Sequence, residues 1–153
     1  SGGTTAVKVE GTPPGLHLTG TVTSWGGAGL TFLSCATVAS FTKISFDVYG
    51  QAAGCTIELQ LQTFSQRPTD QTPPGSCVKA SDGTGCFKFP AKSAVVDLAT
   101  AVSASSPKVV SVTLSGMTNW ATSAATQIVG IQWQFTGGSC TPNATFTNIK
   151  FVP

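Results

Sequence analysis

Charge is what this sequence has least of. Eight Lys or Arg and six Asp or Glu make up 9% of its 153 residues, against about 25% in an ordinary globular protein. The basic residues, Lys8, Lys43, Arg67, Lys79, Lys88, Lys92, Lys108 and Lys150, are scattered. No basic stripe is available for a phosphate backbone, so nucleic acid is not an expected partner. No apolar run is long enough to form a bilayer-spanning helix, and no membrane partner is expected. The single histidine, His17, cannot complete a Cys/His zinc set of the usual spacing. The glycine-rich run Gly26-Gly27-Ala28-Gly29 leads to no Lys-Ser/Thr pair and is not a phosphate loop. No G-x-S-x-G elbow occurs either.

What is present is cysteine, glycine, proline and a strand-forming alphabet. A chain of this length is expected to form one domain, over 5–153, with residues 1–4 reading as linker or cloning residue. The absence of a signal peptide and a last residue, Pro153, directly after a strand suggest a module cut from a longer polypeptide. Five cysteines and few charges suggest a secreted, extracellular protein with disulfides. Cys77 and Cys86 flank a short glycine-containing loop and are the expected first bridge. Cys35 with Cys55 is the expected second, leaving Cys140 free, although spacing alone does not decide that connectivity.

Helix signals are weak throughout. Val, Thr, Ile and Phe recur between Gly and Pro at short intervals, which predicts an all-β chain. Strands are expected at 5–10, 15–23, 29–34, 41–49, 55–63, 93–98, 108–114, 127–136 and 144–152. Within them one phase is apolar: Leu16, Leu18 and Val22; Ile44, Phe46 and Val48; Val110, Val112 and Leu114. The stretch 63–90 is expected to be an extended loop held by Cys77–Cys86, and 119–125 a turn or a short helix.

The most telling pattern lies in two segments. Ile57-Glu58-Leu59-Gln60-Leu61-Gln62 and Ile131-Gln132-Trp133-Gln134-Phe135 alternate apolar and polar residues without a break. Successive strand side chains point to opposite faces, so each segment should bury one face and present Glu58, Gln60, Gln62, Gln132 and Gln134 on the other. An amide offers donors and acceptors without charge. A solvated sheet face is the ordinary alternative, but such faces usually carry Thr, Lys and Glu. Amides in phase on two strands suit a neutral, hydroxyl-rich ligand, and so a carbohydrate.

Aromatic side chains would cover the apolar C–H faces of sugar rings. Tyr49 shares its phase with Asp47, away from Phe46 and Val48. Trp25 lies in the glycine-rich segment, read here as a loop. Trp133 shares its phase with Ile131 and Phe135 and belongs in the core, and Trp120 is read as packing. Among the carboxylates, Asp47 and Glu58 are expected on one sheet face. Two carboxyl groups across a sugar are what a glycosidase needs, but nothing in the sequence tunes either one.

The runs Ser24 to Phe32, Phe41 to Gly50, Ile128 to Phe135 and Phe146 to Phe151, in that order, resemble jelly-roll carbohydrate-binding modules of the galactose-binding-like superfamily, found attached to bacterial glycoside hydrolases. The resemblance spans the chain from about residue 7 onward. It implies an antiparallel two-sheet β-sandwich with little or no helix and a polysaccharide site on its concave sheet or at a loop rim. It also implies a structural calcium, for which Glu10 and Asn148 are the candidate ligands. Asn148 stands where the family pattern has an Asp, so the charge that tightens such a site is missing. No other cofactor is required.

Together these observations suggest non-catalytic binding of a plant cell-wall β-glycan, such as cellulose, another β-glucan or xylan, by a monomeric module tethered to a hydrolase. Trp25, Asp47, Tyr49, Glu58, Gln60, Gln62, Gln132 and Gln134 would contact the ligand. The alternatives are a small jelly-roll glycosidase using Asp47 and Glu58, or a structural, adhesive extracellular sandwich.

Overall fold

The computed structural model describes residues 4–11, 14–86, 91–121 and 125–153. Among the described residues nine strands are assigned: β1 (Thr4–Glu10), β2 (Gly15–Thr21), β3 (Trp25–Ala36), β4 (Lys43–Gln51), β5 (Thr56–Thr63), β6 (Ala91–Val96), β7 (Lys108–Thr113), β8 (Ile128–Thr136) and β9 (Asn143–Val152). One 3-10 turn, Leu114–Gly116, follows β7. Every expected strand is found, with shifted ends. The largest shift is in β3, which begins at Trp25 instead of residue 29, so the glycine-rich segment is strand and not loop. The expected linker, apart from Thr4, and part of the turn expected over 119–125 lie outside the described residues.

The strands form two antiparallel sheets, a five-stranded one ordered β1-β2-β9-β4-β7 and a four-stranded one ordered β3-β8-β5-β6. The alternating pattern explains the layering. Leu16, Leu18, Ile44, Phe46, Val48 and Phe146 turn inward from the first sheet, and Ile57, Leu59, Leu61, Ile131, Trp133 and Phe135 from the second. They meet face to face. Trp133 packs edge-on against Phe46 at 5.4 Å between ring centroids and stacks on Phe146 at 4.6 Å, so aromatic contacts join the two sheets at their centre. This architecture is a jelly-roll β-sandwich.

Two disulfides close the loops. Cys77–Cys86 forms as expected. The second bridge is Cys55–Cys140, and Cys35 is the free thiol, which corrects the expected Cys35–Cys55 pair. Strand register gives the reason. Trp25 and Thr56 both lie beside Thr136, whereas Ala36 and Thr63 both lie beside Ile128. Cys55 therefore sits at one end of the four-stranded sheet and Cys35 at the other, about 25 Å apart at strand rise. Cys140, in the turn after β8, reaches Cys55 with a Cα–Cα distance of 5.6 Å.

Candidate functional site

The outer face of the four-stranded sheet is built row by row from register. Gln134 lies between Gly27 on β3 and Glu58 on β5, and Gln132 lies between Gly29 and Gln60. Gly130 lies between Thr31 and Gln62, and Thr136 between Trp25 and Thr56. Lys92 on β6 extends the Gln60 row. The five polar side chains singled out on β5 and β8 thus share one surface. It runs about 20 Å along the strands from Trp25 to Thr31.

The amides are tied to one another. Gln60 Nε2 donates to Glu58 Oε1 at 2.8 Å and also to Gln134 Oε1. Gln62 Nε2 donates to Gln132 Oε1 at 2.5 Å. Lys92 Nζ pairs with Glu58 Oε2 at 3.1 Å. A carboxamide has two donor hydrogens and two acceptor lone pairs, so each keeps capacity beyond its neighbour bond while its orientation is held. Gln60 is only 9% exposed; it holds Gln134 and Glu58 in place more than it meets solvent. Gln62, Gln132, Gln134 and Glu58 are half-buried. Trp25 stands at one end of the face, 56% exposed.

Glycine on β3 has a steric reason here. A Cβ at Gly27 would strike the Trp133 carbonyl, and one at Gly29 the Ile131 carbonyl and, at 2.8 Å, Gln132 Cα. The strands approach too closely for side chains on that lane, so bare backbone borders Gln132 and Gln134. Lys92 and the two glycines were not singled out from sequence. The period-2 spacing of residues 25, 27, 29 and 31 was the available signal for the lane. Lys92 carries no local signal, because its place beside Gln60 comes from pairing between strands distant in sequence.

Asp47 and Tyr49 do not belong to this face. They lie on the outer face of the five-stranded sheet, in the phase opposite to inward-facing Phe46 and Val48. Asp47 pairs in register with Thr147 and Val109, and Tyr49 with Thr145. The expectation that Asp47 and Glu58 share a face is therefore corrected. β4 and β5 belong to different sheets, which pack about 10 Å apart, and the two side chains leave from opposite outer faces. A glycosidase pair needs its carboxyl groups about 5–9.5 Å apart across one substrate. Sequence alone cannot assign a strand to one sheet or the other, because both outer faces have the same alternation.

The calcium candidates do not fit a shared ion. Glu10 Oε1 is bonded to His17 Nδ1, and His17 Nε2 lies 2.8 Å from Asn143 Oδ1. Asn148 Nδ2 donates to Asp47 Oδ2 at 2.5 Å. Glu10 on β1 and Asn148 on β9 are separated by β2, about 10 Å, whereas calcium gathers six to eight oxygens at about 2.3–2.6 Å. Among the described residues no group of three or more His, Cys, Asp or Glu is arranged to hold a metal.

The fold defines a class, the jelly-roll β-sandwich, and two solved structures share it. One is the family 11 carbohydrate-binding module of the cellulosomal cellulase Lic26A-Cel5E of Clostridium thermocellum, with a TM-score of 0.59 at 15% identity, covering 99% of this chain and 83% of that one. The other is a family 11 module from Clostridium thermocellum in complex with a β-1,3-1,4-mixed-linked tetrasaccharide, with a TM-score of 0.56 at 18% identity, covering 99% and 84%. No protein-family model and no curated protein sequence matches the chain.

Proposed function

We propose that this chain is a non-catalytic module that binds a β-glucan-type polysaccharide on the outer face of its four-stranded sheet. The observation that carries this reading is the set of amides held in register on one surface. Gln62, Gln132, Gln134 and Glu58 hydrogen-bond sugar hydroxyls, with Gln60 as their support. Trp25 covers a sugar ring at one end, and the Gly27–Gly29 lane lets the chain approach the backbone. Amides fixed by mutual bonds lose little freedom on binding, which lowers the cost of recognition. The fold shared with a module captured on a mixed-linkage tetrasaccharide supports the same ligand class.

The finer reading is that the module is secreted, as its two disulfides suggest, and tethered to a glycoside hydrolase. It would act there by raising local substrate concentration. With Asp47 and Glu58 on opposite faces, the paired-acid alternative loses its geometry. The test is affinity electrophoresis in gels containing soluble mixed-linkage β-glucan. The intact protein should be retarded. Gln132→Ala, Gln134→Ala and Trp25→Ala should each weaken retention roughly tenfold with unchanged melting temperature. Equal migration with and without glucan, xylan and xyloglucan ends this reading.

A further inference from the structure

At the Ile128 end of the four-stranded sheet the amide face gives way to a pocket of about 190 Å³. It is lined by Phe32, Leu33, Phe64, Pro73, Pro74 and Arg67, among others. Leu33 and Phe64 continue β3 and β5 beyond Thr31 and Gln62, so the pocket adjoins the last row of that face. Arg67 is the only arginine in the sequence and is 4% exposed. Its Nη2 donates to the Thr72 carbonyl at 3.2 Å. Its Nε and Nη1 are sealed from water and meet no acceptor among the described residues.

A guanidinium stays charged at every relevant pH and has five N–H donors. Leaving two of its nitrogens buried and unpaired is costly unless an acceptor arrives, and an anionic one also balances the charge. The chain does not supply one. All six of its carboxylates are engaged elsewhere: Glu10 with His17, Asp47 with Asn148, Glu58 with Lys92 and Gln60, Asp70 with Lys79, Asp82 with Thr84, and Asp97 with the Ala99 amide. The backbone around Arg67 is held firmly. Its amide donates to the Thr63 carbonyl at 3.1 Å, and its own carbonyl accepts from the Cys77 amide at 2.9 Å. A Cβ at Gly75 would collide with that carbonyl. Among the described residues one hydrogen bond, to Thr72, fixes the head group. Turning it toward the lumen costs one bond and opens a two-pronged pairing with a planar anion.

We propose that this pocket is a carboxylate subsite, in which Arg67 pairs with the uronic acid of an acidic glycan while Leu33, Phe64 and Pro74 meet the apolar side of the sugar ring. The site extends the amide face and rests on the reading of that face as a glycan platform. It makes the ligand a polysaccharide bearing hexuronate residues instead of a wholly neutral one.

The test uses mixed-linkage β-glucan oligosaccharides before and after selective oxidation of C6 hydroxymethyl groups to carboxylates, titrated into the intact protein by calorimetry. The oxidised form should bind about tenfold more tightly, and Arg67→Met should abolish that preference while leaving neutral oligosaccharide binding unchanged. Because a buried substitution can impair folding, free glucuronate and glucose are also titrated into the unmodified protein by NMR. Glucuronate should shift the Leu33, Phe64 and Val129 amides, and glucose should not. Equal binding of oxidised and neutral forms, with no glucuronate-specific shifts, overturns the subsite. If neutral oligosaccharides fail to bind but glucuronate still shifts those amides, the amide-face reading falls and the subsite stands.

Discussion

Trp133 is a fully buried side chain whose indole nitrogen meets no acceptor among the described residues. It occupies the centre of the sandwich because β8 alternates, and the phase of Ile131 and Phe135 carries it inward. An unpaired buried N–H costs about 1–3 kcal/mol, so part of what the large ring contributes by packing is returned. Trp133→Ala should lose about 3–5 kcal/mol by cavity formation. Trp133→Phe removes the orphan donor along with some volume, so it should lose less than half as much. Urea unfolding of both variants, followed by circular dichroism, measures the difference. That Trp133 belongs to the core was legible from phase. That it would bridge Phe46 and Phe146 was not, since those partners come from strands of the other sheet.

At the scale of elements, the two disulfides constrain very different lengths of chain. Cys55–Cys140 spans 85 residues and Cys77–Cys86 spans 9. By loop-closure entropy the longer bridge is worth about 4–5 kcal/mol and the shorter about 2–3 kcal/mol. Replacing Cys55 and Cys140 together by alanine should therefore lower the melting temperature more than replacing Cys77 and Cys86, as scanning calorimetry would record. The segment between β5 and β6 also carries two acids with lowered pKa. Asp70 is held below the ordinary aspartate value of 3.8 by its hydrogen bond and charge pairing with Lys79. Asp82 is held below the same value by the hydroxyl and amide of Thr84. A carboxylate whose folded pKa is depressed stabilises the fold above its unfolded value, and that contribution fades as pH falls through the folded value. NMR titration should place both midpoints below about 3.8, with loop amides near Asp70 and Asp82 losing exchange protection only in stronger acid. Both groups are exposed, so the effect on global stability should be small.

For the whole molecule, stability comes from a core shared by two sheets and closed by covalent bridges, with no metal cluster among the described residues. Glu10 and Asn148 each have a protein partner and lie on strands separated by β2. The melting temperature should therefore be the same in excess calcium and in excess chelator, as differential scanning fluorimetry would show. A chelator-dependent drop would reveal a metal held by residues other than these two.

The sequence by itself determined which residues face inward. Side-chain alternation is local, so burial of Leu59, Trp133 and Phe46, and projection of Gln60, Gln132 and Asp47, follow from period 2 alone. The tertiary structure alone decided which outward faces coincide. Pairing β5 with β8 brings Glu58 and the glutamines onto one surface. Placing β4 beside β9 sends Asp47 and Tyr49 to the opposite one. The same long-range pairing carries Cys35 away from Cys55 and leaves Arg67 enclosed without a counter-charge. Strand order and sheet assignment are settled by hydrogen bonding and core packing between segments far apart in the chain, and no local pattern of side chains encodes that choice.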